Sequence, residues 1–176
     1  MYNKDMALSL GEMLFRLVMA ILLGAFVGLE REIVGKEAGV RTNLLVAGGA
    51  TMFTLVGLSL PFIVAQGNLG DVLARNSGFL SVIANIVIGV GFLGAGAIIH
   101  DGSRVRGLTT AASVWLVAAI GVLCGIGLIM FAAISTFGIT ALLIILRKVD
   151  LYGLVGKESA SNKKHNRKNG NIVETR

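Results

Sequence analysis

The sequence predicts an all-α, polytopic membrane protein with five transmembrane helices packed through glycine. Three observations lead there. Of 176 residues 55% are apolar and only 15% charged, with a mean hydropathy of +0.80, whereas about a quarter of a soluble globular chain is charged. The charges gather in short stretches between uncharged runs about as long as a bilayer is thick. The chain has 24 glycines and a single proline, and small residues recur at four-residue spacing, which lets membrane helices approach closely. Because the apolar runs are continuous instead of alternating, a transmembrane β-barrel is excluded.

A short polar start, Met1 to Gly11, precedes a first helix expected from Met13 to Leu29. Ala20, Gly24 and Gly28 form a small-residue stripe on it. Glu12 and Arg16, one turn apart, are placed to pair, and the long stem of Arg16 is expected to snorkel to the interface. Glu30 to Thr42 is a charged loop. Thr42 or Asn43 should cap a second helix from Leu44 to Leu60 that ends at Pro61. Its Gly48, Gly49, Thr51, Thr54 and Gly57 offer another close-contact surface.

The connection from Phe62 to Gly78 carries only Asp71 and Arg75 as charges, and a third helix is expected from Phe79 to Ile99. A polar loop, His100 to Gly107, leads to a fourth helix at Leu108, on which Thr109, Ser113, Gly121 and Gly125 share a face. From Leu108 to Leu146 no residue is charged for 39 positions. That is too long for one span, so the run divides at Gly125-Ile126-Gly127, where glycine permits a tight turn. The fifth helix ends at Leu146, before Arg147-Lys148. Residues 1–156 then form one membrane domain. Residues 157–176 form a basic tail, with Lys163 to Lys168 at its centre, too polar to build a core. Cys124 lies within an apolar run and is expected to be a packing residue. There is no cleavable signal pattern.

The formal net charge is +6, but its residues flank membrane segments. Anionic headgroups and the positive-inside rule account for it, without nucleic acid. Five helices place the Glu30–Thr42 loop, the His100–Gly107 loop and the tail on one side, and leave Lys4 and Arg75 on the other. This implies an N-terminus outside and a C-terminus inside. A short internal echo is also visible: Val40-Arg41-Thr42 and Val105-Arg106 each open a helix, with Gly24 and Gly89 at equal distances before them.

Gly89-Val-Gly91-Phe-Leu-Gly94 matches the dinucleotide pattern G-x-G-x-x-G, yet it lies inside an apolar run and lacks the acidic residue that pattern needs about 20 positions on. Close helix packing by Gly89, Gly91, Gly94 and Gly96, with Gly24 and Gly28, is the preferred reading. The two charged loops are expected to form one polar cluster of Glu30, Arg31, Glu32, Arg41, Thr42, Asp101, Arg104, Arg106, Thr109 and Thr110. Its chemistry stays open between anion binding at helix N-termini, Mg²⁺ ligation by Glu30, Glu32 and Asp101, and mutual neutralisation that fixes topology. Asn85 is the intramembrane amide. Thr51, Thr54, Ser113 and Thr136 are the other polar side chains on the spans, and no Asp, Glu, Lys or His lies at the centre of any span. No catalytic set is present, so the chain is expected to be no enzyme, with neither cofactor nor resident metal.

Four ordered motifs carry a resemblance: Gly28-Leu-Glu-Arg-Glu32, Gly39-Val-Arg-Thr42, Gly89 to Gly96, and Val105-Arg-Gly-Leu-Thr-Thr-Ala-Ala-Ser-Val-Trp115. Over Arg16 to Gly127 the sequence resembles the membrane domain of the MgtC/SapB family. The resemblance implies a bacterial inner-membrane protein associated with Mg²⁺ limitation, acid tolerance and, in pathogens, survival in macrophages. Longer members carry a C-terminal ACT-like domain, and this chain looks like the short, SapB-like form. Ser81, where the family often has Arg, and Asn85, where Gln is common, are departures at the start of the third helix. Two functions follow as expectations: a regulator that packs against a membrane ATPase or transporter, or a small Mg²⁺ or K⁺ transporter or channel. Membrane lipid and a second copy of the chain are the other expected partners.

Overall fold

A computed structural model describes residues 8–64, 77–102 and 104–148, with residues 61–64 and 77 described by their backbone alone. The elements are α1 (Leu10–Ile33), α2 (Val40–Val64), α3 (Ser77–Gly96), a hairpin of β1 (Ile99–Asp101) and β2 (Arg104–Arg106), α4 (Leu108–Gly125) and α5 (Ile129–Lys148). All five helices are long and apolar enough to cross a membrane. Residues 1–137 form one compact unit and residues 138–176 a second. Asp71, Arg75, Lys4, the domain boundary at 156 and the basic tail lie outside the described residues.

The helix ends have local causes. The Ser9 hydroxyl accepts from the Glu12 N–H at 3.2 Å, so α1 starts three residues before Met13. It ends in a Schellman motif: Gly35 N–H donates to Glu32 O and Lys36 N–H to Arg31 O, with Gly35 at φ +68°. The end of α4 repeats this, through Gly127 to Cys124 O and Leu128 to Leu123 O, with Gly127 at φ +91°. The division of the long uncharged run therefore falls where its glycines predict.

Four expectations need correction. Neither Thr42 nor Asn43 caps α2. The helix begins at Val40, whose N–H donates to the Glu32 carboxylate at 3.0 Å, so the acceptor comes from the preceding helix. Pro61 does not end α2, which continues to Val64; a proline so near the helix end disturbs only the last turns. Helix α3 stops at Gly96, and Ile99 opens β1. Arg16 does not merely snorkel. It donates from Nε to Glu12 at 3.0 Å and from Nη1 to the Gly125 carbonyl of α4 at 2.8 Å, placing a positive charge at a helix C-terminus.

The core lies among α1, α2, α4 and the first turn of α5, with Ala20, Leu23, Val27, Ala47, Val117, Ile120, Cys124 and Ala132 buried. Lipid is as apolar as leucine, so close packing and hydrogen bonds must hold these helices together. The backbones are correspondingly near. A Cβ on Gly24 would lie 2.7 Å from Ala47 Cβ, one on Gly28 2.6 Å from Val40 Cα, and one on Gly121 2.4 Å from Ala47 O. The Thr51 hydroxyl stands 2.8 Å from both Ala47 O and Gly121 O, bridging α2 and α4. Helix α3 packs on α2 and α4 through Ala50, Val90, Val114 and Ala118. Only 11% of its span is buried, against 44% for α2 and 50% for α4.

Candidate functional site

The site lies at one end of this unit, where α1 and α3 finish and α2 and α4 begin. Arg31 decides its character. Three residues beyond Gly28, it falls on the buried face of α1 and is only 4% exposed. Its Nη2 donates to the Thr110 hydroxyl, in the first turn of α4, at 2.9 Å. Glu30 and Glu37 are the carboxylates whose charge acts on it. Its Nε has no hydrogen-bond partner among the described residues.

Asn43 is fully buried beside the α1–α2 turn and donates its amide hydrogens to Ala38 O and to Gly39 O, the latter at 2.9 Å. Its Oδ1 is likewise unpartnered among the described residues. Ala38 has φ +56°, and the carbonyl bond from Asn43 holds that turn in place. Gly39 has no Cβ, so the Glu32 carboxylate can close on the backbone there, where a Cβ would stand 2.6 Å from Oε2. Above this layer lies an open cavity of about 330 Å³. Its polar lining is Glu37, Thr42 and Thr110, and its apolar wall includes Val46, Leu93, Ile99 and Val114.

The ten residues expected in one polar cluster are thus at one end but not in one set of contacts. Arg31 and Thr110 form a buried pair, Glu32 is a helix cap, Thr42 and Thr110 line the cavity, and Glu30 is engaged in an interaction of its own. Arg41 and Thr109 are exposed. Asp101, Arg104 and Arg106 stand exposed on the hairpin, with Asp101 opposite Arg104 and Ile99 opposite Arg106. Among the described residues, none of Arg41, Asp101, Arg104 and Arg106 bonds to the other loop. The cause is helix phase at Arg31 and strand pairing at 99–106. Glu30, Glu32 and Asp101 form no metal-holding group among the described residues.

Val105-Arg106 lies in β2 whereas Val40-Arg41 opens a helix, so the internal echo has no structural counterpart. Gly107 makes the step from β2 into α4 at φ +85°, where a Cβ would stand 1.9 Å from Ala97 O. The packing expectation also divides. Gly24 and Gly28 touch α2, and Gly94 has ordinary contact with Ala111 at 3.6 Å. Among the described residues, nothing lies within 4 Å of a Cβ added at Gly89, Gly91 or Gly96. Asn85 is exposed on the surface of α3. Asn43, Glu37 and Gly107 were not foreseen as site residues. The four-residue stripe Ala20-Gly24-Gly28 carried the signal for Arg31, since it sets the buried phase of α1.

A family model described as the MgtC family matches residues 17–152. The chain belongs to the MgtC family. The match covers every residue of the site. Among MgtC relatives, Protein MgtC of Brucella abortus (strain 2308) is 44% identical over 128 residues, 73% of this chain and 48% of the relative. Protein MgtC of Salmonella typhimurium (strain LT2) is 42% identical over 135 residues, 77% of this chain and 52% of the relative. The chain spans about half the length of these curated MgtC proteins. No solved structure matches.

Proposed function

We propose that this MgtC-family chain is a regulator in a bacterial inner membrane, acting on a membrane ATPase or transporter during Mg²⁺ limitation and acid stress. It catalyses no reaction and uses no cofactor. One observation carries the choice of regulator over transporter. Three buried threonine hydroxyls along the spans already serve backbone carbonyls: Thr51 at Ala47 and Gly121, Thr54 at Ala50, and Thr136 at Ala132, all at 2.7–2.8 Å. A dehydrating Mg²⁺ needs charged oxygen ligands or a wide wet pore, and these oxygens supply neither. The exposed arginines of the site suit the inner side of the membrane, with the N-terminus outside and the C-terminus inside.

The test pairs flux with capture. Proteoliposomes holding only this protein should show no Mg²⁺ or K⁺ uptake above empty vesicles, while crosslinking in native membranes should retrieve an ATPase or transporter subunit. Robust Mg²⁺ uptake by the protein alone would favour the transporter reading and sink the regulator. For topology, a reporter active only outside the inner membrane should be silent when fused after Lys168.

A further inference from the structure

Helices α2 and α3 leave a groove of about 540 Å³ open along the surface of the bundle. Gly49 and Gly89 form part of its walls, and a Cβ on either would have nothing within 4 Å among the described residues. Phe53, Leu45 and Leu93 stand out at its rim, 63%, 69% and 54% exposed. Asn85 lines the groove, the ninth of the twenty residues of α3 and so near the middle of its span. Its carboxamide has no hydrogen-bond partner among the described residues, in a setting where hydrocarbon would surround it. An unsatisfied amide is strongly disfavoured in hydrocarbon, and an acyl chain filling the groove would leave it unsatisfied.

We propose that the α2–α3 groove is the interface of a homodimer, with the occupant a second copy of this chain and Asn85 bonded to Asn85 across a two-fold axis. Three features select a second copy. Two chains inserted in the same sense put Asn85 at one depth without further adjustment. A carboxamide is its own complement, donating through Nδ2 and accepting at Oδ1, as an isologous contact requires. The same surface carries both the protruding Phe53, Leu45 and Leu93 and the open places at Gly49 and Gly89 that such side chains can enter. The inference is independent of what the protein regulates or transports.

The full chain, labelled with donor and acceptor fluorophores in phosphatidylcholine–phosphatidylglycerol vesicles, should show energy transfer that falls on dilution with lipid. Asn85→Leu should weaken association about threefold to tenfold, the range measured for interhelical polar contacts, and Asn85→Gln should restore it. Gly89→Leu and Gly49→Leu should weaken it at least as much, while Leu22→Ala, on the exposed face of α1, should change nothing. Oxidation of Asn85→Cys in native membranes should give a disulfide-linked dimer, and Leu22→Cys should not. Energy transfer indifferent to Asn85→Leu, a monomer at every density, or an Asn85→Cys adduct with a different protein would each overturn the proposal.

Discussion

Helices α1 and α4 use glycine in one way and α3 in another. In the first group a Cβ on Gly24, Gly28, Gly121 or Gly125 would stand 2.4–2.7 Å from a neighbouring helix. On α3, Gly89, Gly91 and Gly96 have no such neighbour among the described residues. Both sets meet one physical requirement, no side chain where a backbone is to come close. A glycine pattern identifies an approach surface and leaves open whether the approaching helix is in the same chain.

Substitutions can break this contrast, and the largest effect belongs to Gly107, which lets the hairpin pass beneath the end of α3. Gly107→Ala combines a left-handed backbone with a methyl against Ala97 O, and should destabilise by about 3 kcal/mol or more, read as lost thermal stability of the purified protein. Next comes a matched pair. Gly121→Ala should cost about 1–3 kcal/mol, since α2 must move off α4. The same change at Gly91 should be neutral or stabilise by up to about 1 kcal/mol through helix propensity. Equal losses at both positions would erase the distinction between the two glycine sets.

Two finer tests concern polar contacts. Thr110→Val keeps the shape of the side chain but takes away the acceptor of Arg31 Nη2; a loss of about 1–3 kcal/mol is expected from the stranded buried donor. Arg16→Gln should have the smaller effect of the two, about 1 kcal/mol, because the side chain of Glu12 is 46% exposed and the Gly125 carbonyl sits at a helix end. Unfolding in detergent at low and high salt would show the Arg16 effect shrinking with salt while the Thr110 effect stays.

Much of the fold could be read from the sequence, and for stated reasons. The five spans follow from run length, and the turn at residues 126–128 follows from an uncharged stretch too long to cross once. The short hairpin was missed although Asp101-Gly102 is a strong turn signal, because the apolar run through Ile98-Ile99 reads as helix until its pairing is known. The two charged loops were correctly seen as ionisable stretches, but charge counting cannot separate Arg31, turned inward, from Arg41, turned outward. Only the phase of the small-residue stripe does that. Asn43 escaped because an asparagine beside a helix start reads as a cap that accepts, whereas here it donates.

The turn between α1 and α2 has a consequence for anything that settles on it. Its N–H groups at Val34, Gly35, Lys36 and Val40 already donate, and the carbonyls of Ala38 and Gly39 already accept from Asn43. Those paired groups can be covered by another protein without losing hydrogen bonds to water, because their partners lie within the chain. The side chains beside them, Lys36, Glu37 and Arg41, are charged and exposed, so recognition through them would follow charge and weaken with salt.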